Sequence, residues 1–375
     1  MHQICILGGY GNTGCLIAQY LLETTEVGVT IAGRNLQRAE SLAQQFQKAY
    51  PGRTIQAAAI DASDPQSLMS GFRGIDLVVV ASSTSQFTSL VTRIAIDSQT
   101  DYLDIQYSRQ KLNVLKSMRE EIQRAGRCFI TDGGFHPGLP GVLVRYANTH
   151  FSQLDRAVVG SVIQINWSEI ELSDSTAEEL VRELIDFRPL VYRDGEWHRS
   201  SWMKSRQFDF GARFGVQSAF PMLLEELREL QTRIPALQET GFYVGGFNWF
   251  VDYFLLPILW PAVKLAPVKL IRPSARIMLW GLRTFSRPPF GTSLHLEASG
   301  KMEGKKVKMT LVLDHEDGYM FTAIPVAACL HQYIDGTIRE PGLHYQALFV
   351  EPDRMIQTMQ EMGIHISELT EPAEE

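Results

Sequence analysis

Cysteine is scarce in this chain. Cys5, Cys15, Cys128 and Cys329 are scattered over 375 residues, with no C-x-x-C pair and no metal-ligand spacing. That excludes a disulfide framework and a structural zinc site and predicts reduced thiols. His295, His315, His331 and His344 are equally dispersed, so no metal is expected. There is no G-x-S-x-G element and no P-loop, which removes the hydrolase elbow and the NTPase phosphate loop. The start lacks a basic segment followed by an apolar leader, so secretion is not expected and a cytoplasmic protein is. No repeat or low-complexity segment occurs. A formal charge of −7 argues against a general nucleic-acid binder. With 45% apolar residues, the chain is long enough for two domains, each with its own core.

The informative part is the first 34 residues. Ile4-Cys5-Ile6-Leu7 reads as a strand and Gly8-Gly9-Tyr10-Gly11-Asn12-Thr13-Gly14 as a turn. Leu16, Ile17, Tyr20 and Leu21 then follow at helical spacing. Gly9, Gly11 and Gly14 satisfy G-x-G-x-x-G in the order strand, turn, helix, which predicts a dinucleotide site. The helix start offers free N–H groups and a positive dipole end to a pyrophosphate. Val29–Ala32 reads as the second strand. An NAD site usually carries an acid about here for the ribose 2′-hydroxyl, but Arg34 stands in its place and no acid precedes Glu40. A guanidinium suits a 2′-phosphate, so NADP is the expected cofactor. The alternative is that Arg34 is a solvated loop residue and NAD binds as well.

Strands then alternate with helices: 54–60, 75–80, 102–105 and 128–131, separated by helical patterns at 36–47, 65 onward, 87–96 and 109–125. This pace predicts an α/β Rossmann fold with a doubly wound parallel sheet. The ligand site should lie at the carboxyl ends of the strands. There the chain places the glycine turn, Arg34, Asp61, Ala81-Ser82-Ser83, Asp104 and Asp132–His136. The glycine- and proline-rich Gly133–Gly141 marks a boundary. The expected domains are a nucleotide-binding domain over 1–135, an α+β substrate and dimerisation domain over 136–320, and C-terminal helices over 321–375 that pack back on the first. Within the second domain the spacing predicts a strand over 157–165, a helix over 176–185 capped by Ser173 or Ser175, and hairpins turning at Asp194-Gly195 and Glu303-Gly304. The acidic tail Glu368–Glu375 is expected to fray.

With Gly8–Gly14, Ala32-Gly33-Arg34, Ile60-Asp61, Tyr102–Ile105, Gly133–Gly138 and Ile334–Gly342, the chain resembles the saccharopine dehydrogenase-like oxidoreductases. The resemblance implies a nicotinamide-binding Rossmann domain and an α+β domain that lines the substrate pocket and often forms a homodimer. It also implies hydride transfer to or from a carbon–nitrogen bond in an amino-acid adduct. By match, Gly9, Gly11, Asn12, Thr13, Gly14 and Arg34 would carry the cofactor phosphates and Asp61 would face the adenine. Ser82 and Ser83 end a strand against the cofactor. No substrate-binding residue of the family matches a position here.

One stretch departs from an ordinary domain. Between Asp252 and Glu297 there is no acid, but there are Lys264, Lys269, Arg272, Arg276, Arg283 and Arg287. They interleave with Phe254–Trp260 and Ile277–Trp280. Three readings stay open for residues 245–290: peripheral contact with a membrane, a helical hairpin at a subunit interface, and a transmembrane hairpin. Prolines 257, 261, 267 and 273 count against the last. Membrane contact would suit a lipid-linked carbonyl or double bond as substrate.

Hydride transfer usually needs a proton donor. His136, in the glycine-rich loop, is the first candidate, and Asp132 would orient it or cap the next helix. Asp104 either bonds near the ribose or ends its strand. Tyr107 and Lys111 have Y-x-x-x-K spacing, but after strand five, outside the context that gives this pair its chemistry. A non-catalytic NADP-binding sensor or membrane-surface scaffold is the alternative to an enzyme.

Overall fold

The computed structural model describes residues 2–169, 178, 181, 187–201 and 204–373. The helix expected over 176–185, with its Ser173 or Ser175 cap, lies outside the described residues apart from Glu178 and Val181. Contacts divide the chain into two compact units. The first is Met1–Leu139 with Thr322–Met362; the second is Pro140–Phe321 with Gly363–Glu375.

The first unit is built on strands β1 (Gln3–Leu7), β2 (Gly28–Gly33), β3 (Ile55–Ala59), β4 (Leu77–Val80), β5 (Asp101–Asp104), β6 (Cys128–Thr131) and, numbering all strands along the chain, β15 (Gly342–Tyr345). Their order is β3-β2-β1-β4-β5-β6-β15 and every pair is parallel. The six-strand part is the doubly wound order that reverses between β1 and β4. β2, β4, β5 and β6 are buried along their whole length. That explains the continuous apolar run of β4, Leu77–Val80, since helices cover both faces. The helix starts follow local chemistry. Asn35 accepts a hydrogen bond from the Arg38 amide at 3.0 Å, and Asp64 one from the Gln66 amide at 3.1 Å with Pro65 in the first turn. The pattern over 109–125 is two helices, Arg109–Ser117 and Arg119–Arg124. Met118 leaves helical geometry between them, with φ −101° and ψ 5°.

The second unit carries a mixed sheet. Its strands are β7 (Gln153–Gln164), β8 (Leu190–Arg193), β9 (Glu196–Arg199), β10 (Arg206–Asp209), β11 (Val216–Met222), β12 (Glu239–Gly245), β13 (Gly291–Met302), β14 (Lys305–His315) and β16 (His365–Pro372). The main path is β10-β11-β12-β7-β13-β14-β16, with β8 pairing β12 and β9. Only β12 and β7 are parallel. Both expected hairpins, β8–β9 and β13–β14, are present.

Residues 321–375 are not helices alone. The helices Met320–Ile334 and Pro352–Glu361 are joined by β15, which extends the first sheet, and followed by β16, which joins the second. Glu368–Pro372 therefore does not fray: β16 pairs with β14 from Asp314↔His365 to Val307↔Pro372. Lys308 stands opposite Glu371, and Tyr146 donates a hydrogen bond to Glu368 at 2.9 Å. Opposite charges across an edge ladder favour this pairing, so the acidity that suggested fraying instead complements a basic strand.

Residues 251–285 form a short π-turn, Val251–Leu255, and the helices Leu256–Leu265 and Pro267–Phe285. Their inner faces bury Val251, Leu259, Val263, Ile271, Met278 and Leu282 together with Trp167. No helix among the described residues is long and apolar enough to cross a membrane.

Candidate cofactor site and its buried lysine

The glycine turn lies at the carboxyl end of β1, where the strand order reverses. The Gly8 and Gly9 amides both donate to the carbonyl of Ala32, at 2.8 and 3.0 Å, which ties the turn to β2. Gly11 donates to Gly8 at 2.9 Å and precedes the helix Asn12–Thr24. A Cβ on Gly14 would lie 2.3 Å from the Gly8 carbonyl oxygen, and one on Gly9 would lie 2.8 Å from that of Ile6. Neither position accepts a side chain. The first helical turn holds no acid and no side chain caps it, so its N–H groups stay available to an anion. A dinucleotide pyrophosphate fits this cradle.

Arg34 is exposed just beyond β2. Its charge acts on Asp61, beyond β3. The Asp61 carboxyl is held below its ordinary range first by the amide and hydroxyl of Ser63, at 2.9 and 2.7 Å. Burial opposes this, and Arg34 adds to it. A second cation stands nearby: the Arg38 guanidinium lies over the Tyr10 ring, 4.8 Å from its centroid, and Tyr10 Oη accepts a hydrogen bond from the Asn35 amide at 3.0 Å. Tyr10 thus links the glycine turn to the start of the next helix. Two arginines beside the β2 end suit a 2′-phosphate. Tyr10 and Arg38 escaped the sequence reading, although Arg38 is one helical turn from Arg34.

Ser82 and Ser83 follow β4. The Ser82 hydroxyl lies 3.1 Å from that of Thr84, and its carbonyl accepts from the Gln106 amide group. Beside them, at the ends of β5 and β6, is a buried ionic cluster. Lys111 Nζ lies 2.7 Å from Asp104 Oδ1, 2.5 Å from Asp132 Oδ1, 2.7 Å from the Gln106 carbonyl and 2.9 Å from Thr131 Oγ1. Thr131 in turn donates to Asp104 Oδ2 at 2.8 Å. Burial pulls the Lys111 pKa down, but the two carboxylates more than offset it and the ammonium is held above its ordinary range. Burial pushes the Asp132 carboxyl up, against the pull of Lys111 and with the help of Asp104.

The Asp132 carboxylate is engaged by Lys111, and Asp132 itself has a left-handed backbone, φ +56°. His136 lies in the following loop, its ring 4.1 Å from that of Phe135. Burial lowers its pKa to about 4, so it is neutral near pH 7. Gln346 clamps this loop by accepting from the Gly134 amide at 3.3 Å and donating to the Gly134 carbonyl at 3.2 Å. Lys111 was discounted on sequence. The available signal was its helical register: Lys111, Leu115, Met118 and Ile122 share one face, and all are buried.

Comparison with known proteins agrees with this geometry. Residues 4–130 match the family model described as the saccharopine dehydrogenase NADP binding domain. The carboxyaminopropylagmatine dehydrogenase of Synechocystis sp. is 22% identical over 269 residues, 68% of this chain and 64% of that protein. The chain thus matches less than two thirds of that curated relative's length. The saccharopine dehydrogenase (L-Glu forming) of Saccharomyces cerevisiae has the same fold, with a TM-score of 0.68 at 16% identity, over 99% of this chain and 100% of that one. The chain thus shares its fold with the yeast enzyme, and its residues 4–130 are similar to the NADP-binding domain of the saccharopine dehydrogenases.

Proposed function

We propose that the protein is an NADP-dependent oxidoreductase acting on a carbon–nitrogen bond, an imine or its amino-acid adduct. The glycine turn at the β1/β4 reversal carries this reading, because its two side-chain-free positions and uncapped helix start make a pyrophosphate cradle. When bound, the cofactor would supply or accept the hydride. Gly9, Gly11, Asn12, Thr13 and Gly14 would hold its pyrophosphate. Arg34 and Arg38 would hold the 2′-phosphate, Asp61 would border the adenine, and Ser82 and Ser83 would border the remainder. The Lys111 cluster would fix the ends of β5 and β6 so that the edge beside the cofactor keeps one shape. His136, neutral at pH 7, would accept a proton at a ring nitrogen and become the cation only while it carries it. Both named relatives are dehydrogenases, and the name of the Synechocystis protein's substrate joins an amino and a carboxyl group, which supports an amino-acid adduct here.

A lipid-linked carbonyl or double bond is the second reading, favoured by the exposed aromatic face of residues 249–285. The test is titration with NADPH and NADH by nicotinamide fluorescence. NADPH consumption would then be followed with mixtures of 2-oxo acids and amines, and separately with lipid enones and quinones. Turnover with the imine mixtures supports the proposal. Tight NADPH binding without turnover in either panel would identify a non-catalytic NADP sensor and overturn it.

A further inference from the structure

The outer face of the helical hairpin is unusual for a domain surface. Trp249, Tyr253, Phe254, Ile258, Leu265 and Trp280 are all more than half exposed, Leu265 at 87%. The aromatic members are held in place rather than collapsed. Phe250 stacks on Phe285 at 4.2 Å, and Trp249 and Trp280 meet that pair edge-on at 5.4–5.8 Å. A patch of this kind marks an interaction surface.

Charge identifies the partner. On the helix Pro267–Phe285, Lys269, Arg272, Arg276 and Arg283 are exposed on the same face as Ile277 and Trp280. Lys264 Nζ lies 3.7 Å above the Trp260 ring. No carboxylate occurs between residues 253 and 296. Glu178 pairs with one of these cations, 2.9 Å from Arg272. At the base of the hairpin a cleft of about 220 Å³, lined in part by Trp249, Phe285, Ser286 and Arg287, adds a cationic recess. A second copy docked face to face about a twofold axis would set these cations against themselves. An anionic lipid surface neutralises them while it accepts the tryptophans at headgroup depth. We infer that the outer face of residues 249–287 docks the protein on an anionic membrane surface, without crossing it. A homodimer would then use another face.

Co-sedimentation of the full chain with vesicles tests this. It should pellet with phosphatidylcholine mixed with phosphatidylglycerol, not with phosphatidylcholine alone, and should be released by salt. Lys269→Ala and Arg276→Ala should each weaken partitioning about fivefold, and together about 25-fold. Trp280→Ala should weaken it as well. NADPH affinity, read in the same samples, should not change, which shows that each variant is folded. Absence of binding to anionic vesicles overturns the inference. So does binding that is equal on both vesicle types. A concentration-dependent dimer that Trp280→Ala dissolves, without vesicle binding, would make the face a self-interface instead.

Discussion

Lys111 Nζ lies 2.7 Å from Asp104 Oδ1, and neither side chain reaches solvent. A buried pair of this kind is costly to break from one side, because the remaining charge has no water to turn to. Lys111→Met leaves Asp104 and Asp132 facing each other without a cation. The expected loss is about 3–5 kcal/mol in denaturant unfolding. Asp132→Asn, which keeps a hydrogen-bond acceptor, should cost less. Equal stability of Lys111→Met and wild type would mean that the cluster contributes nothing.

Gly14→Ala tests the cradle. Its Cβ would meet the Gly8 carbonyl at 2.3 Å, so the helix must move off the strand. Overpacking of this kind costs about 1–3 kcal/mol. NADPH affinity should fall more than stability, since the helix start moves away from the phosphates. Isothermal titration and a melting curve on the same preparation separate the two effects.

Arg34→Ala and Arg38→Ala should lower affinity for NADPH while leaving that for NADH nearly unchanged. A charged hydrogen bond is worth about 1.5–3 kcal/mol, or roughly 10–100-fold. Competition titrations give the ratio directly. An unchanged NADPH to NADH ratio in both variants would remove the two arginines from the 2′-phosphate site.

His136 makes stability depend on pH. Its folded pKa of about 4 lies below the ordinary 6.5, so on acidification the unfolded chain takes up the proton first. The contribution of this residue is intact above 6.5 and is lost as pH falls toward 4, at up to about 1.4 kcal/mol per pH unit. His136→Asn should flatten that segment of the denaturant-midpoint profile relative to wild type.

Truncation before His365 removes β16 and leaves β14 as a bare edge. Exposed edges pair with other chains. The truncated protein should melt earlier and scatter light in a concentration-dependent way, whereas its NADPH affinity should persist.

The parallel sheet was legible because its strands are continuous apolar runs, as at Leu77–Val80, and because the glycine turn follows β1 directly. Arg34 and Asp61 were legible as strand-end residues for the same reason. The Lys111 cluster was less so: its partners come from the ends of two strands and a loop, and the nearest sequence signal is a helical register that also describes a solvated lysine. β15 and β16 were missed because Gly342–Tyr345 and His365–Pro372 are short or polar, and their pairing partners lie far away in the chain.

Local spacing therefore determined the turn, the alternation of strands and helices, and the interleaving of aromatic and basic residues in 245–290, since each depends on neighbours within a few residues. Tertiary structure alone decided three things. Lys111 engages Asp132; Gln346 reaches back 212 positions to clamp Gly134; and Trp249 and Trp280 face outward while Leu259 and Met278 face in. Each of these depends on which surfaces lose water together, and that is a property of the folded chain rather than of any segment in it.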